Sequence, residues 1–294
     1  MKSVGIILTD HESINEDIIL KSKTKLINSK LKYIYFIGDF NKFKNIYKYF
    51  YNYKKFKFYN ISINKSNYYQ YIKKITLKSI NLYKEKKIDY IINMPIDKAK
   101  FFHSNFKGYT EFFSNCYDKK KNENMLLYNE NFSVCPVTTH VEINKVEKNI
   151  SKLKIYNAIH NIMNFYNKIL KKKIKIILLG LNPHASKDLN KNSIDIKLLT
   201  PLIKKFKKKI NIEGPVSADT AFRCTKGKVY IGMYHDQVLI PFKIINNFNG
   251  INITIGKKLL RLSPDHGIGK DLLKNKSKIN ILSFIKCIKF CEKY

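Results

Sequence analysis

Residues 174–185 read IKIILLGLNPHA, an almost unbroken apolar run followed by glycine and then Asn-Pro-His. A short run rich in Ile and Leu, bounded by Gly and Pro, reads as a strand buried on both faces, the form found in parallel sheets. His184 then stands just past its carboxyl end. Two other runs have the same form: SVCPVTT (133–139) ahead of His140 and KVYIGMY (228–234) ahead of His235. In an open α/β sheet, ligands bind outside the carboxyl ends of the strands. Three imidazoles delivered there can converge on one metal ion. The chain has seven histidines, so three at strand ends is a concentration. Each of them taken singly also reads as a hydrogen-bonded structural group. No local metal motif such as HExxH is present, so only the fold can bring the three together.

Further strand-like runs lie at 3–9, 32–38, 88–94, 125–129 and 251–255, and segments of helical period at 12–28, 65–86, 145–170, 194–209 and 278–292. This alternation predicts an α/β fold with a mainly parallel sheet. A chain of 294 residues with 44% hydrophobic content is long enough for two domains. No internal repeat is evident. Residues 41–71 are rich in Lys, Tyr, Asn and Phe and contain no Gly or Pro; they read as surface and helix without a functional signal. The KKK runs at 171–173 and 207–209 read as helix ends, where cations complement the dipole.

The formal net charge of +34 raises nucleic acid or an anionic membrane as partners. Its composition argues against both. Of 56 basic residues only Arg223 and Arg261 are arginine, Ala occurs five times, and the lysines are scattered among Asn, Ile, Tyr and Phe. That is the bias of AT-rich coding, whereas base and phosphate readout favours the bidentate guanidinium. No apolar run is long enough to span a bilayer. The N-terminal MKSVGIILTDHES has too short an apolar stretch for a signal peptide and reads as a first buried strand. Five cysteines without CxxC spacing indicate a reducing compartment, so the expected location is cytoplasmic.

Polar residues gather in the loops after the strands. NMPIDK (93–98) places Asp97 and Lys98 after the strand DYIIN. GYTEFF (108–113) puts Thr110 and Glu111 at a helix start, a position suited to an anion. GPVSADTAF (214–222) presents Asp219 after a Gly-Pro turn. Lys243, Asn252 in GINITIG and Arg261 in LLRLSPDHGIG would make a clamp for phosphate and carboxylate. Taken one at a time, each also reads as a turn, cap or surface charge.

The strings GYTEFF, VTTH, GLNPHA, GPVSADTAF, MYHDQ, GINITIG and SPDHG, in this order, resemble the 4-hydroxythreonine-4-phosphate dehydrogenase family of vitamin B6 biosynthesis. The resemblance runs from about Asp89 to near the C-terminus. It implies a two-domain α/β/α sandwich similar to isocitrate and isopropylmalate dehydrogenases, with the active site in the interdomain cleft and shared across a homodimer. The domains would then be 1–105 plus 256–294, and 106–255. It also implies a divalent metal (Zn, Mg, Co or Mn) on His140, His184 and His235, and substrate held by Tyr109, Thr110, Lys243, Asn252 and Arg261. Asp219 and Lys98 are the candidate catalytic residues, with the identity of the general base left open. The chain departs from the family pattern in two places. The loop TDHESINED after the first strand lacks Gly and Pro, and Tyr109 stands where the family has His.

The residues suit that chemistry. A metal on three neutral imidazoles lowers the pKa of a bound secondary hydroxyl, and it stabilises the enolate if a β-keto acid then loses CO2. No side chain accepts hydride, so a cofactor must. No GxGxxG follows a strand, which removes the Rossmann fingerprint; the resemblance implies NAD at the Asp265-His266-Gly267 turn instead. The expected reaction is NAD-dependent oxidation of 4-phosphooxy-L-threonine to 2-amino-3-oxo-4-phosphooxybutanoate, which decarboxylates. The alternatives are a dehydrogenase of erythronate or threonate 4-phosphate, and a decayed homologue that binds metal or phosphate without turnover.

Overall fold

The computed structural model describes residues 1–63, 67–97, 100–101, 106, 108–117, 122–188 and 191–294. The strands are β1 (Val4–Ile7), β2 (Ile34–Gly38), β3 (Phe56–Asn60), β4 (Tyr90–Asn93), β5 (Asn124–Tyr128), β6 (Phe132–Thr138), β7 (Lys175–Leu179), β8 (Ile212–Val216), β9 (Lys228–Tyr234), β10 (Ile251–Ile255) and β11 (Leu260–Pro264). The chain divides into two compact units, Met1–Lys121 with Phe248–Tyr294, and Asn122–Asn247. The sequence reading set the boundaries at 105/106 and 255/256. The helix Tyr109–Tyr117 and β10 instead belong to the first unit. Phe112 and Phe113 of that helix pack into the cluster built on Tyr71, Ile72 and Ile75, and β10 pairs with β11.

In the first unit the strand order is β3-β2-β1-β4-β11-β10. All neighbours are parallel except β10 with β11. β1, β2 and β4 are fully buried and, but for Asn93 at the end of β4, apolar or aromatic, as strands covered on both faces must be. The helix Tyr68–Lys84 covers one face. Its buried residues Tyr71, Ile72, Ile75, Thr76, Ser79 and Ile80 recur at three- and four-residue spacing, and the Asn67 side chain caps its start by accepting from the Gln70 amide. β3 carries no sequence signal beyond alternating Lys and aromatics. It forms because Phe56 and Phe58 pack on Phe36, at ring separations of 5.8 Å, and leave the lysines outside.

In the second unit the order is β5-β6-β9-β7-β8, parallel except for β5 with β6. Leu127, Phe132, Val134, Ile177, Leu179, Tyr230, Val238 and Phe242 form its core. β8 (IEGPV) was missed in the sequence because Gly-Pro punctuates it; a proline is tolerated on an edge strand. β11 (LRLSP) was missed because an arginine sits mid-strand. The helix His235–Asn246 was missed as well; it begins directly after the strand Lys228–Tyr234 and contains Pro241.

Candidate active site

In the second unit, β6, β9 and β7 are consecutive in the sheet, and His140, His235 and His184 follow their carboxyl ends. Side-chain ties lock these three ends together. The Thr138 hydroxyl donates to the Met233 carbonyl at 2.7 Å, joining β6 to β9. Gln237 accepts from the Met233 amide and donates to the Gly180 carbonyl, both at 2.7 Å, joining β9 to the end of β7. The loop that carries His184 is tight: a Cβ on Gly180 would stand 2.7 Å from the Ala185 backbone. His184, Ala185 and Ser186 have φ of 52°, 52° and 57°, and His140 has φ of 51°. Left-handed backbone at non-glycine residues costs energy and collects at functional sites. The fully buried Asp195 compensates for it. Its carboxylate accepts from the Leu181 amide (2.7 Å), the Asn182 amide (3.2 Å), the Asn182 Nδ2 (2.7 Å) and the Ser186 hydroxyl (2.8 Å).

The rings of His140 and His235 lie 5.8 Å apart between centroids. His235 Nδ1 is 2.6 Å from the Asp236 carboxylate, a carboxylate–histidine pair of the kind that fixes an imidazole through one nitrogen and leaves the other to bind. His184 is not gathered with this pair. Among the described residues no group of three His, Cys, Asp or Glu side chains stands close enough to hold one ion. The expected three-histidine set is therefore present at adjacent strand ends but not assembled, and two donors rarely hold a catalytic ion.

Asp219 is exposed. Its carboxyl is held below the usual range, first by the Ser217 hydroxyl that donates to it at 2.6 Å, then by backbone amides and the nearby His184. It is ionised and weakly basic, which suits orienting a cation or imidazole better than abstracting a proton. Lys98, the other candidate catalytic residue, lies outside the described residues.

The first unit holds a second constellation. Arg261, on β11, is 1% exposed. Its Nε donates to the Thr254 hydroxyl (3.0 Å), Nη1 to Asn93 Oδ1 (2.8 Å) and the Ser263 hydroxyl (3.3 Å), and Nη2 to the Thr110 and Thr254 hydroxyls (both 2.6 Å). Burial pushes the guanidinium pKa down to about 10, partly offset by Tyr109 and Glu111. Tyr109 was expected to touch substrate; its ring lies over the guanidinium at 5.6 Å and its hydroxyl is bonded to Thr76 at 2.7 Å inside the core. Tyr109 is 6% exposed, and burial raises its pKa above the ordinary tyrosine value. The replacement of His by Tyr thus turns a polar position into an aromatic cover for a buried cation.

Asn252 lies opposite Ser263 in the β10–β11 register, and its Oδ1 is buried with no hydrogen-bond partner among the described residues. Lys243 belongs to the second unit, on the helix His235–Asn246. In the Asp265-His266-Gly267 turn, His266 Nδ1 is 2.8 Å from the Gly267 carbonyl, and nothing lies within 4 Å of where a Gly267 side chain would begin, so a ligand can approach the backbone there. Sequence reading missed Thr138, Gln237, Asp195, Asn93 and Thr254. Gln237, Asn93, Thr138 and Thr254 were within reach, since they lie in the strings MYHDQ, NMPIDK, VTTH and GINITIG; Asp195 lies in a run that reads as helix.

Comparison with known proteins places this arrangement. The model of the family described as pyridoxal phosphate biosynthetic protein PdxA matches residues 13–291. The 4-hydroxythreonine-4-phosphate dehydrogenase of Sulfurihydrogenibium sp. is 32% identical over 297 residues, covering 92% of each chain. That of Aquifex aeolicus is 35% identical over 193 residues, covering 64% of this chain and 60% of its own length. Among solved structures, the 4-hydroxythreonine-4-phosphate dehydrogenase of Klebsiella pneumoniae superposes with a TM-score of 0.78 at 20% identity, covering 99% of this chain and 98% of that one.

Proposed function

Because the chain belongs to the pyridoxal phosphate biosynthetic protein PdxA family, we propose that it oxidises 4-phosphooxy-L-threonine with NAD to 2-amino-3-oxo-4-phosphooxybutanoate, which then loses CO2. The observation that carries this reading is Arg261, a fully buried cation met only by neutral oxygens and coupled to the half-buried Thr110. Its hydrogen bonds all go to neutral oxygens and Glu111 only partly offsets it, so the cation favours an anion beside Thr110, as a phosphorylated substrate requires. Thr110, Asn252 and Lys243 would supply the polar contacts that fix the phosphate, amino-acid and hydroxyl ends.

His140 and His235, with His184 on the neighbouring strand end, are the proposed donors to a divalent ion, Zn, Mg, Co or Mn. Asp219 would orient His184, and Lys98 would take up the hydroxyl proton. NAD, bound at the Asp265-His266-Gly267 turn, supplies the hydride acceptor that no side chain provides. The enzyme would act in the cytoplasm, in keeping with its five free cysteines, and as a homodimer.

The test is NADH formation with a panel of 4-phosphorylated hydroxy acids, with and without added divalent metal, alongside the sedimentation mass. The expected result is a kcat/KM for 4-phosphooxy-L-threonine well above those for erythronate and threonate 4-phosphate. Preference for a sugar acid would move the substrate within the family. No turnover of any member, with phosphate still bound, would identify a binding protein that has lost catalysis.

A further inference from the structure

Three carboxylates are buried among the described residues, those of Asp10, Asp39 and Asp195. Two of them are satisfied on both oxygens. Asp39 accepts from the Asn41 amide at Oδ1 (2.9 Å) and from the Ile63 amide at Oδ2 (2.7 Å), and Asp195 takes the four donors described above. Asp10 differs. It is 0% exposed, its Oδ1 accepts from the Glu12 amide at 3.0 Å, and its Oδ2 has no hydrogen-bond partner among the described residues. Lys100 stands 4.0 Å away on the Oδ1 side and is committed to the Glu12 carboxylate at 2.8 Å and to the Tyr68 ring at 4.2 Å. A buried carboxylate oxygen without a donor costs folding energy, and such costs collect at functional sites.

The loop TDHESINED has no Gly or Pro to shape it, and side chains hold it instead. Ser13 Oγ donates to the Asp10 carbonyl at 2.7 Å. The Thr9 hydroxyl and Asn15 Nδ2 both donate to the Pro95 carbonyl, at 2.7 and 2.9 Å, and the Ile14 amide donates to the Ile268 carbonyl at 3.2 Å. β1, β4 and β11 are neighbouring parallel strands, so these bonds fix Asp10 among three carboxyl ends, where ligands of an open sheet bind. β4 ends on Asn93, which holds Arg261 at 2.8 Å. The unsatisfied carboxylate and the cation assigned above to the phosphate thus belong to adjoining strands.

A neutral donor on Oδ2 would leave the carboxylate with only Lys100, at 4.0 Å, against its charge. A metal ion lacks ligands, since no group of three His, Cys, Asp or Glu side chains among the described residues is close enough to hold one. An ammonium supplies both the donor and the charge. 4-Phosphooxy-L-threonine carries one on C2, where erythronate and threonate 4-phosphate carry a hydroxyl. Resting on the function proposed above, we propose that Asp10 is a specificity-determining residue: its Oδ2 accepts from the substrate's ammonium group, so the chain selects a phosphorylated hydroxy amino acid over a phosphorylated sugar acid.

The probes are 4-phosphooxy-L-threonine and threonate 4-phosphate, read first as the rise in melting temperature of the full chain, which needs no turnover, and then by steady-state kinetics. Wild type should be stabilised more by the amino acid than by the sugar acid. Asp10→Asn keeps an oxygen for the Glu12 amide and removes the charge. Without ligand it should melt no lower than wild type, because an unsatisfied buried charge is gone. Its preference in kcat/KM for the amino acid over the sugar acid should fall by ~10–100-fold, the worth of one hydrogen bond between charged groups. If Asp10→Asn does not fold, Asp10→Ser removes the same charge with a smaller side chain, and the contrast between the two ligands on wild type is a test in itself. Equal loss of both substrates in the folded variant overturns the inference, since a merely structural residue would act on both alike. Equal stabilisation of wild type by the two ligands overturns it as well. If wild type is stabilised selectively by the amino acid, and Asp10→Asn is not, while neither ligand is turned over, the proposed reaction fails and this inference stands.

Discussion

Gln237 and Gly180 are joined by one hydrogen bond, Nε2 to carbonyl oxygen at 2.7 Å. The other end of the same side chain accepts from the Met233 amide at 2.7 Å, so a single residue sets the distance between the strand ends that carry His235 and His184. Replacing it with Glu keeps the acceptor and removes the donor, and sets a negative charge against the Gly180 carbonyl. Gln237→Glu should lose roughly 1–3 kcal/mol of unfolding free energy and a larger share of kcat than Gln237→Ala loses by simple deletion. Denaturant melts and steady-state kinetics on the two variants measure both quantities. Equal kcat in both would show that the spacing of the strand ends does not matter to turnover.

Asp195 holds the left-handed turn at 184–186 with four accepted hydrogen bonds. Asp195→Asn retains one of its two acceptor oxygens and turns an amide NH2 toward the donors. We expect a loss of about 2–4 kcal/mol in denaturant stability, since the desolvated donors Leu181, Asn182 and Ser186 lose a charged acceptor. Near-wild-type stability would mean that the turn holds its shape without this carboxylate.

Tyr109 reads from the structure as part of the core. Tyr109→Phe should cost about 1 kcal/mol by leaving Thr76 without its partner, and should change KM for the phosphorylated substrate less than twofold as an order-of-magnitude expectation. A strong rise in KM at unchanged melting temperature would return Tyr109 to the substrate.

Bound metal separates the three imidazoles. Elemental analysis of His140→Ala, His184→Ala and His235→Ala should show most divalent metal lost from each, since removing any one of three donors leaves an incomplete set. Undiminished stoichiometric metal in His184→Ala would restrict the ligands to the His140 and His235 pair, whose rings are already 5.8 Å apart.

The α/β class and the family were legible because they rest on local features. Buried parallel strands must be continuous apolar runs, and β6 and β9 fall on the runs read at 133–139 and 228–234. The motif strings carried the family resemblance, which the match over residues 13–291 bears out. The Lys-rich composition gave no such guide in residues 41–71: β3 hides in FKFYN because its buried face is two phenylalanines and its exposed face is drifted lysine.

What the sequence determined by itself is the continuous apolar strands and the residues that follow them, because hydrophobic period, Gly and Pro act over a few neighbours. What the tertiary structure decided is which of those residues meet. Arg261 is 168 positions from Asn93 and 151 from Thr110, yet bonded to both. Whether its charge is cancelled depends on an amide oxygen arriving from β4. Tyr109 looked like a ligand by position and became a core residue because Thr76, on a separate helix, takes its hydroxyl. Burial of a charge and satisfaction of its hydrogen bonds are properties of long-range contacts, so no local pattern could state them.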